Sequence, residues 1–220
     1  MQSILKVTEP GTWDGTERKA PPPLSQDNQT PDTKQTLRTH LRRLRSAHVK
    51  ALPASIGALM FLRPPVAVAA LAPEGATIGL YHAISGEAPT RSYAKWFAEH
   101  GRQIALPWFA TRSAPMQFRL WQDPYADDGL EPSPHGGLQP CADAPLLTPD
   151  LVLTPLVGFT ATGQRLGQGG GHYDRWLAAN PSVTALGLGW DCQLVESLPA
   201  EPHDIPLRAV ITPTRLYGEL

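Results

Sequence analysis

Helical and strand patterns alternate along this chain, which predicts an α/β sandwich around a mainly parallel sheet. Three observations carry that expectation. Short apolar runs such as Leu151–Thr154 have the length and composition of buried strands. Segments such as residues 91–100 carry the helical period instead. The 220 residues, 41% of them apolar, are enough for one ordinary domain whose core needs no disulfides.

The elements follow in order. Residues 1–31 place Pro21, Pro22 and Pro23 among polar residues without an apolar period, so they are expected to form a flexible arm before a single domain, 32–220. A helix is expected after Pro31, with Asp32 as its cap and Gln35 three residues on in capping-box spacing. Leu37, Leu41 and Leu44 give it a buried face. Lys34, Arg38, Arg42 and Arg45 form a basic ridge beside that face, which periodicity alone reads as a solvated flank. Val66–Leu71 fits a strand or a buried helix equally. Thr77–His82 reads as a strand, Ser85-Gly86-Glu87 as a turn, and Arg91–His100 as a helix closed by Gly101. Gln103–Leu106 reads as a strand stopped by Pro107, and Met116–Trp121 alternates with the strand period. The Pro-, Gly- and Asp-rich stretch Asp123–Pro149 is long for a plain connection and is expected to be a lid or binding loop. Leu151–Thr154 is a strand, Asp174–Ala179 a helix, Val183–Leu188 a strand and Ala209–Thr212 the last strand.

Composition excludes several classes. With 19 Lys+Arg against 20 Asp+Glu, the net charge of -1 offers no global excess of base for nucleic acid. Cys141 and Cys192 lie far apart and form neither a CxxC pair nor part of a zinc cluster. The longest apolar run, Val66–Ala72, falls well short of the roughly 20 residues that span a bilayer. Residues 1–15 lack a signal-peptide core. The expectation is a cytoplasmic protein with no membrane or nucleic-acid partner.

The most informative segment is Arg165-Leu-Gly-Gln-Gly-Gly-Gly-His-Tyr-Asp-Arg175, which follows a strand and opens a helix. Clustered glycines let backbone N–H groups converge on one anion, and the helix N-terminus adds partial positive charge. Arg165 and Arg175 flank the loop with planar charged donors. The segment is neither a Walker A loop nor a dinucleotide fingerprint, because no Gly-Lys-Ser/Thr follows and His172 stands where a third glycine belongs. By spacing alone, phosphate binding and a tight turn are equally open.

Several ordered blocks go further. Asp150-Leu-Val-Leu-Thr-Pro-Leu-Val-Gly-Phe159 with Gly163–Arg175 closely resembles the 5-formyltetrahydrofolate cyclo-ligase family, also called 5,10-methenyltetrahydrofolate synthetase. Lys34-Gln-Thr-Leu-Arg38 is similar to its Lys-x-x-Leu-Arg, and Gly86-Glu87-Ala-Pro-Thr90 to its Gly-Glu-x-x-Thr. Leu186-Gly-Leu-Gly-Trp190 with Gln193, then Glu201-Pro-His-Asp204 with Thr212, are similar to its C-terminal signature.

The resemblance implies a three-layer α/β/α sandwich like that of the glucosamine-6-phosphate isomerase, ribose-5-phosphate isomerase and CoA-transferase group. It implies ATP-driven cyclisation of 5-formyltetrahydrofolate to 5,10-methenyltetrahydrofolate with Mg²⁺, releasing ADP and phosphate after phosphorylation of the formyl oxygen. By the same resemblance Lys34 and Arg38 contact ATP, while Arg165, Gly167, Gln168, Gly169, Gly170, Gly171, His172 and Tyr173 wrap its phosphates. Arg165 and Tyr173 are the catalytic candidates, and Asp174 and Asp204 match the Mg²⁺ positions. Glu87 matches the folate-contacting glutamate, with Met116, Trp121 and Tyr173 lining a pterin slot. A monomer is expected.

Each residue also has a plainer reading. Asp174 can cap its helix, Asp204 can be a turn residue, Glu87 a solvated charge and Trp121 core. His172 and His203 adjoin the proposed sites without making a metal centre, and the other histidines carry no signal. The chain departs from the family pattern at His172, where a Tyr is common, at Gln139-Pro140, where Glu-Pro is frequent, across Ala47–Ala76, and in the arm. A non-catalytic nucleotide- or RNA-binding relative is the alternative; it expects erosion of Lys34, Arg38, Arg165, Asp174 and Asp204, all of which are present. A CoA-transferase or sugar-phosphate isomerase rests on architecture only.

Overall fold

The computed structural model describes residues 33–57, 59–84 and 86–220. The expected arm, the Asp32 cap and Ser85 of the expected turn lie outside the described residues. In chain order the elements are α1 (Lys34–Ala51), the short helices α2 (Ala54–Gly57) and α3 (Val66–Ala69), β1 (Thr77–Gly79), α4 (Arg91–Glu99), β2 (Gln103–Trp108) and β3 (Gln117–Leu120). A hairpin of β4 (Leu130–Pro132) and β5 (Leu138–Pro140) follows, then β6 (Leu146–Leu147), β7 (Leu151–Pro155) and a second hairpin of β8 (Gly158–Phe159) and β9 (Arg165–Leu166). The chain ends with α5 (His172–Ala179), β10 (Thr184–Leu188), β11 (Ala209–Ile211) and β12 (Leu216–Gly218).

Eight strands form one sheet in the order β12-β11-β10-β7-β1-β2-β3-β6. From β11 to β2 all neighbours are parallel, and β12, β3 and β6 add antiparallel edges. The sheet is therefore mixed but mainly parallel. Successive strand residues point to opposite faces. Leu151 and Leu153 of β7, with Ile104 and Leu106 of β2, pack against Tyr93, Ala94 and Phe97 of α4. Val152 and Ala105 point the other way, into a cluster with Phe118 that Tyr173 and Trp176 of α5 cover. A strand covered on both sides reads as an unbroken apolar run, as β7 does.

Four expectations need correction. Thr33 caps α1, its Oγ1 accepting from the Thr36 N–H at 3.3 Å. Leu44 is 41% exposed, and Arg45 takes the buried position instead, at 6%. The helical repeat explains the exchange: residues 37, 41 and 45 fall on one line, and Arg45 Nη1 reaches the Leu156 carbonyl at 3.5 Å. Pro107 does not stop β2. The Trp121 N–H donates to the Ile104 carbonyl at 2.8 Å, and antiparallel alternation from that pair leaves Pro107, opposite Phe118, where no ladder N–H is needed. Finally, the last strand is β12, which turns back antiparallel on β11. The ambiguous Val66 run forms α3, entered through Pro65.

Candidate active site

Strand order reverses at β1. The chain passes from β1 through α4 to β2 on one side, while β7 lies on the other. Ligands in open α/β sheets bind at such switch points, beyond the carboxyl ends of the strands. A cavity of about 540 Å³ opens there. Tyr81, His82, Ile84 and Glu87 enter it from the segment after β1, and Phe109 and Arg112 from the segment after β2. Ser133 and His135 come from the β4–β5 hairpin, so part of the expected binding loop does line the cavity. The glycine-rich loop between β9 and α5 forms much of the rest of the wall, with Arg42 of α1 beside it.

That loop is gripped by the basic ridge. Arg38 Nε donates to the Gly167 carbonyl at 2.9 Å and Arg42 Nη2 to the Gln168 carbonyl at 3.1 Å. Arg175 Nη2 donates to the Gly170 carbonyl at 2.8 Å. With these carbonyls turned to guanidinium groups, none of the backbone N–H groups of residues 167–171 has a partner among the described residues. Gly169 has φ +110° and Gly171, the N-cap of α5, φ +61°. Both values lie where a side chain is strained. Asp174 is thus not the cap of its helix.

Asp174 instead serves Arg165. Its Oδ1 accepts from Arg165 Nη2 at 2.6 Å and from the Ile205 N–H at 3.2 Å. Arg165 is 9% exposed, and its second terminal nitrogen, Nη1, has no partner among the described residues. Of seven buried side-chain polar atoms without a partner among the described residues, four belong to this cavity: Arg165 Nη1, Tyr173 Oη, His82 Nδ1 and His135 Nε2. Buried polar groups are normally paired, so their convergence marks a place built for a polar ligand.

Charge states fit that reading. Burial pushes the Tyr173 hydroxyl far above its ordinary value, with the nearby Glu87 carboxyl adding to the shift, so it stays a donor. Burial also raises the Glu87 carboxyl, against the Ile84 N–H, the Gln168 amide and the Arg45 charge. Glu87 Oε2 accepts from Ile84 N–H at 3.1 Å and Oε1 from Gln168 Nε2 at 2.9 Å. Burial lowers His135 and His172, helped by Arg112 at the first and by His135 and Arg175 at the second. Their rings lie 4.6 Å apart, each edge-on to Phe109.

The structure does not bring every expected residue to the cavity. Lys34 Nζ is held by Asp204 Oδ2 at 2.7 Å and Glu201 Oε2 at 2.6 Å. Burial opposes the charge of both Lys34 and Asp204, yet their mutual contact raises the lysine and lowers the carboxyl. Arg38 and Gly169 lie at the back of the loop, where a Cβ on Gly169 would stand 3.5 Å from the Arg38 guanidinium carbon. Met116 is core on the α5 side of the sheet. Trp121 is core on the α4 side and borders a separate, smaller cavity. Neither lines the main cavity, because β3 sits two strands from the switch point. Gln139 holds backbone in place, because its amide accepts from the Phe109 N–H at 3.1 Å and donates to the Phe109 carbonyl at 3.2 Å, which a carboxylate could not do. His82, His135 and Phe109 went unmarked in the sequence, since nothing in their local pattern distinguishes them.

Comparison with known proteins identifies relatives of the chain. The chain is 35% identical over 164 residues to 5-formyltetrahydrofolate cyclo-ligase of Escherichia coli strain K12, covering 72% of this chain and 86% of that protein. It is 33% identical to the enzyme of that name from Haemophilus influenzae, over 59% and 72% of the two chains. Among solved structures, a 5,10-methenyltetrahydrofolate synthetase from Mycoplasma pneumoniae superposes with a TM-score of 0.59 at 22% identity, covering 81% of this chain and 97% of that one. The Aquifex aeolicus 5,10-methenyltetrahydrofolate synthetase gives 0.56, also at 22% identity, over 84% and 92%. The sequence profile of the 5-formyltetrahydrofolate cyclo-ligase family matches residues 30–213, and the chain belongs to that family.

Proposed function

We propose that the cavity at the β1–β7 switch point is where this cyclo-ligase brings ATP and 5-formyltetrahydrofolate together. The activity is the ATP-dependent conversion of 5-formyltetrahydrofolate to 5,10-methenyltetrahydrofolate. What carries the assignment of the site is that donors of Arg165 and Tyr173, and the N–H groups of the glycine loop, have no partner among the described residues and belong to residues around one cavity.

In this reading the loop N–H groups and Arg42 hold the nucleotide phosphates, and Glu87 accepts hydrogen bonds from the pterin amino and ring N–H groups. The formyl oxygen attacks the γ-phosphorus and ADP leaves with the electrons of the broken P–O bond. N10 then adds to the activated carbon, phosphate departs with the C–O electrons, and the N10 proton is lost. Arg165 Nη1 donates to the transferring phosphoryl group as charge develops there. The neutral Tyr173 hydroxyl donates beside it, and Phe109 with the two histidines keeps water from that wall.

Mg²⁺ belongs to the same proposal. Among the described residues only Oδ1 of Asp174 is engaged, and Oδ2 would serve a hard cation alongside phosphate oxygens and water. Such an ion would neutralise phosphate charge. Asp204 fits less well, since Lys34 occupies both its oxygens at 2.9 and 2.7 Å. Helices on both faces of the sheet are consistent with the isomerase and CoA-transferase type of sandwich. A cytoplasmic location rests on the sequence alone; among the described residues no helix is long and apolar enough to cross a membrane.

The test is direct. Purified protein mixed with 5-formyltetrahydrofolate and MgATP should develop the near-ultraviolet band of the methenyl product only when ATP is present. Folded protein giving no ATP-dependent change would overturn the reading.

A further inference from the structure

The two halves of the cavity are tied together by one exposed side chain. Gln168 belongs to the glycine loop, yet its Nε2 donates to Glu87 Oε1 at 2.9 Å. Its Oε1 accepts from Arg42 Nη2 at 2.7 Å and Arg42 Nε at 3.3 Å, while the same Arg42 Nη2 also serves the Gln168 carbonyl at 3.1 Å. Arg42, Gln168 and Glu87 all line the cavity, so the chain Arg42–Gln168–Glu87 runs along its wall from the phosphate-facing loop to the carboxylate.

Resting on the site assignment above, we infer that Gln168 is a latch that makes nucleotide and folate binding depend on each other. Both ends of the latch compete with a ligand. A phosphate oxygen is a better partner for the Arg42 guanidinium than a neutral carboxamide oxygen, because the hydrogen bond is charge-assisted on both sides. A nucleotide that recruits Arg42 therefore releases Gln168 Oε1 and loosens the loop's hold on Glu87. A pterin that offers two N–H donors needs the Glu87 oxygens, and taking them releases Gln168 Nε2. Each ligand opens the contact that obstructs the other. Linkage makes the effect reciprocal: the factor by which nucleotide improves folate affinity equals the factor by which folate improves nucleotide affinity.

The sign of one measurement separates this from a scaffold role. If Gln168 merely held Glu87 in place, its removal would weaken folate binding. A latch predicts the opposite, since removal frees the carboxylate. Titration calorimetry would measure 5-formyltetrahydrofolate affinity with and without a non-hydrolysable ATP analogue and Mg²⁺, for the full chain and for Gln168→Ala. The native chain should bind folate about fivefold or more tightly with the analogue present, within the usual range of coupling between sites. In Gln168→Ala, folate should bind tighter without the analogue, and the coupling factor should fall towards one. Gln168→Leu provides a second arm: a side chain of similar length that can neither donate to Glu87 nor accept from Arg42, so the latch should open in the same way. Weaker folate binding in both variants, or a coupling factor unchanged from the native chain, would overturn the inference. Failure of the native chain to bind either ligand would instead overturn the site assignment.

Discussion

Arg165 Nη2 meets Asp174 Oδ1 at 2.6 Å, with the arginine side chain 3% and the aspartate side chain 18% exposed. The pair joins β9 to the first turn of α5 across the glycine loop and leaves Nη1 of Arg165, a residue that lines the cavity, without a partner among the described residues. The aspartate thereby fixes the arginine that the reaction is proposed to use.

Removing one partner of a buried ion pair leaves the other charge uncompensated. Asp174→Ala is expected to cost about 3 kcal/mol of folding stability, read as a lower Tm and a lower denaturant midpoint. Asp174→Asn keeps an acceptor for Arg165 and should cost clearly less. Equal losses for the two variants would show instead that a neutral acceptor contributes nothing and that the charge carries the pairing.

Glu87→Gln should weaken folate binding with little change in ATP affinity. Loss of a charged acceptor costs about 1.5–3 kcal/mol, which is roughly a tenfold to hundredfold rise in folate KM. The native pH profile should carry the same signature. Because burial raises Glu87 above its ordinary value of 4.5, the folded protein holds its proton where the unfolded chain has lost it. Folate affinity should therefore fall as pH drops through the raised value. The Glu87 contribution to stability should have the opposite slope, declining as pH rises through that window. Calorimetric folate titrations and thermal melts across mildly acidic pH, compared with Glu87→Gln, check both.

Lys34 and Asp204 tie α1 to the segment after residue 200, and their shifts set the limits of that contact. Asp204 lies below its ordinary 3.8, so its contribution is present above 3.8 and lost as pH falls through the depressed value. Lys34 lies above 10.5, so its contribution is full below 10.5 and lost as pH rises through the raised value. Asp204→Asn should cost about 1 kcal/mol at neutral pH, since water screens the pair. Melts at neutral pH and near pH 3 would measure it, and the cost should shrink at the acid end.

Gly169→Ala and Arg165→Lys separate loop geometry from loop charge. Gly169 has φ +110°, which an alanine adopts only with strain. Lysine at 165 keeps the charge but loses the planar fork. Both variants should impair MgATP use and leave folate binding nearly intact, with the lysine acting more on kcat than on ATP binding. Native ATP kinetics in both would show the loop to be only a turn.

Deleting residues 1–30 should leave stability and turnover close to native. The polar, Pro-rich composition motivates this, and the family match begins only at residue 30. A large drop in Tm would contradict it.

The sequence by itself determined the local and the ordered. Gly101 closing α4 at φ +76°, the unbroken apolar run of β7 and the order of helices and strands follow from short-range sterics and burial, which neighbouring residues encode. So did the family, because its blocks are contiguous strings. Only the tertiary structure decided which side chains share a space. Met116 and Trp121 carry the composition of a pterin slot, yet the strand order β1-β2-β3 sets them away from the switch point. His82, His135 and Phe109 come from three separate segments, and no local pattern announces that β1, β2 and the β4–β5 hairpin converge on one cavity. The basic ridge shows the same division. Its period was legible along α1, but that Arg38 and Arg42 grip the carbonyls of a loop some 126 to 129 residues away is a fact of packing. Contacts over such separations are set by how the elements pack and not by neighbouring residues, and that is why only the folded chain reveals them.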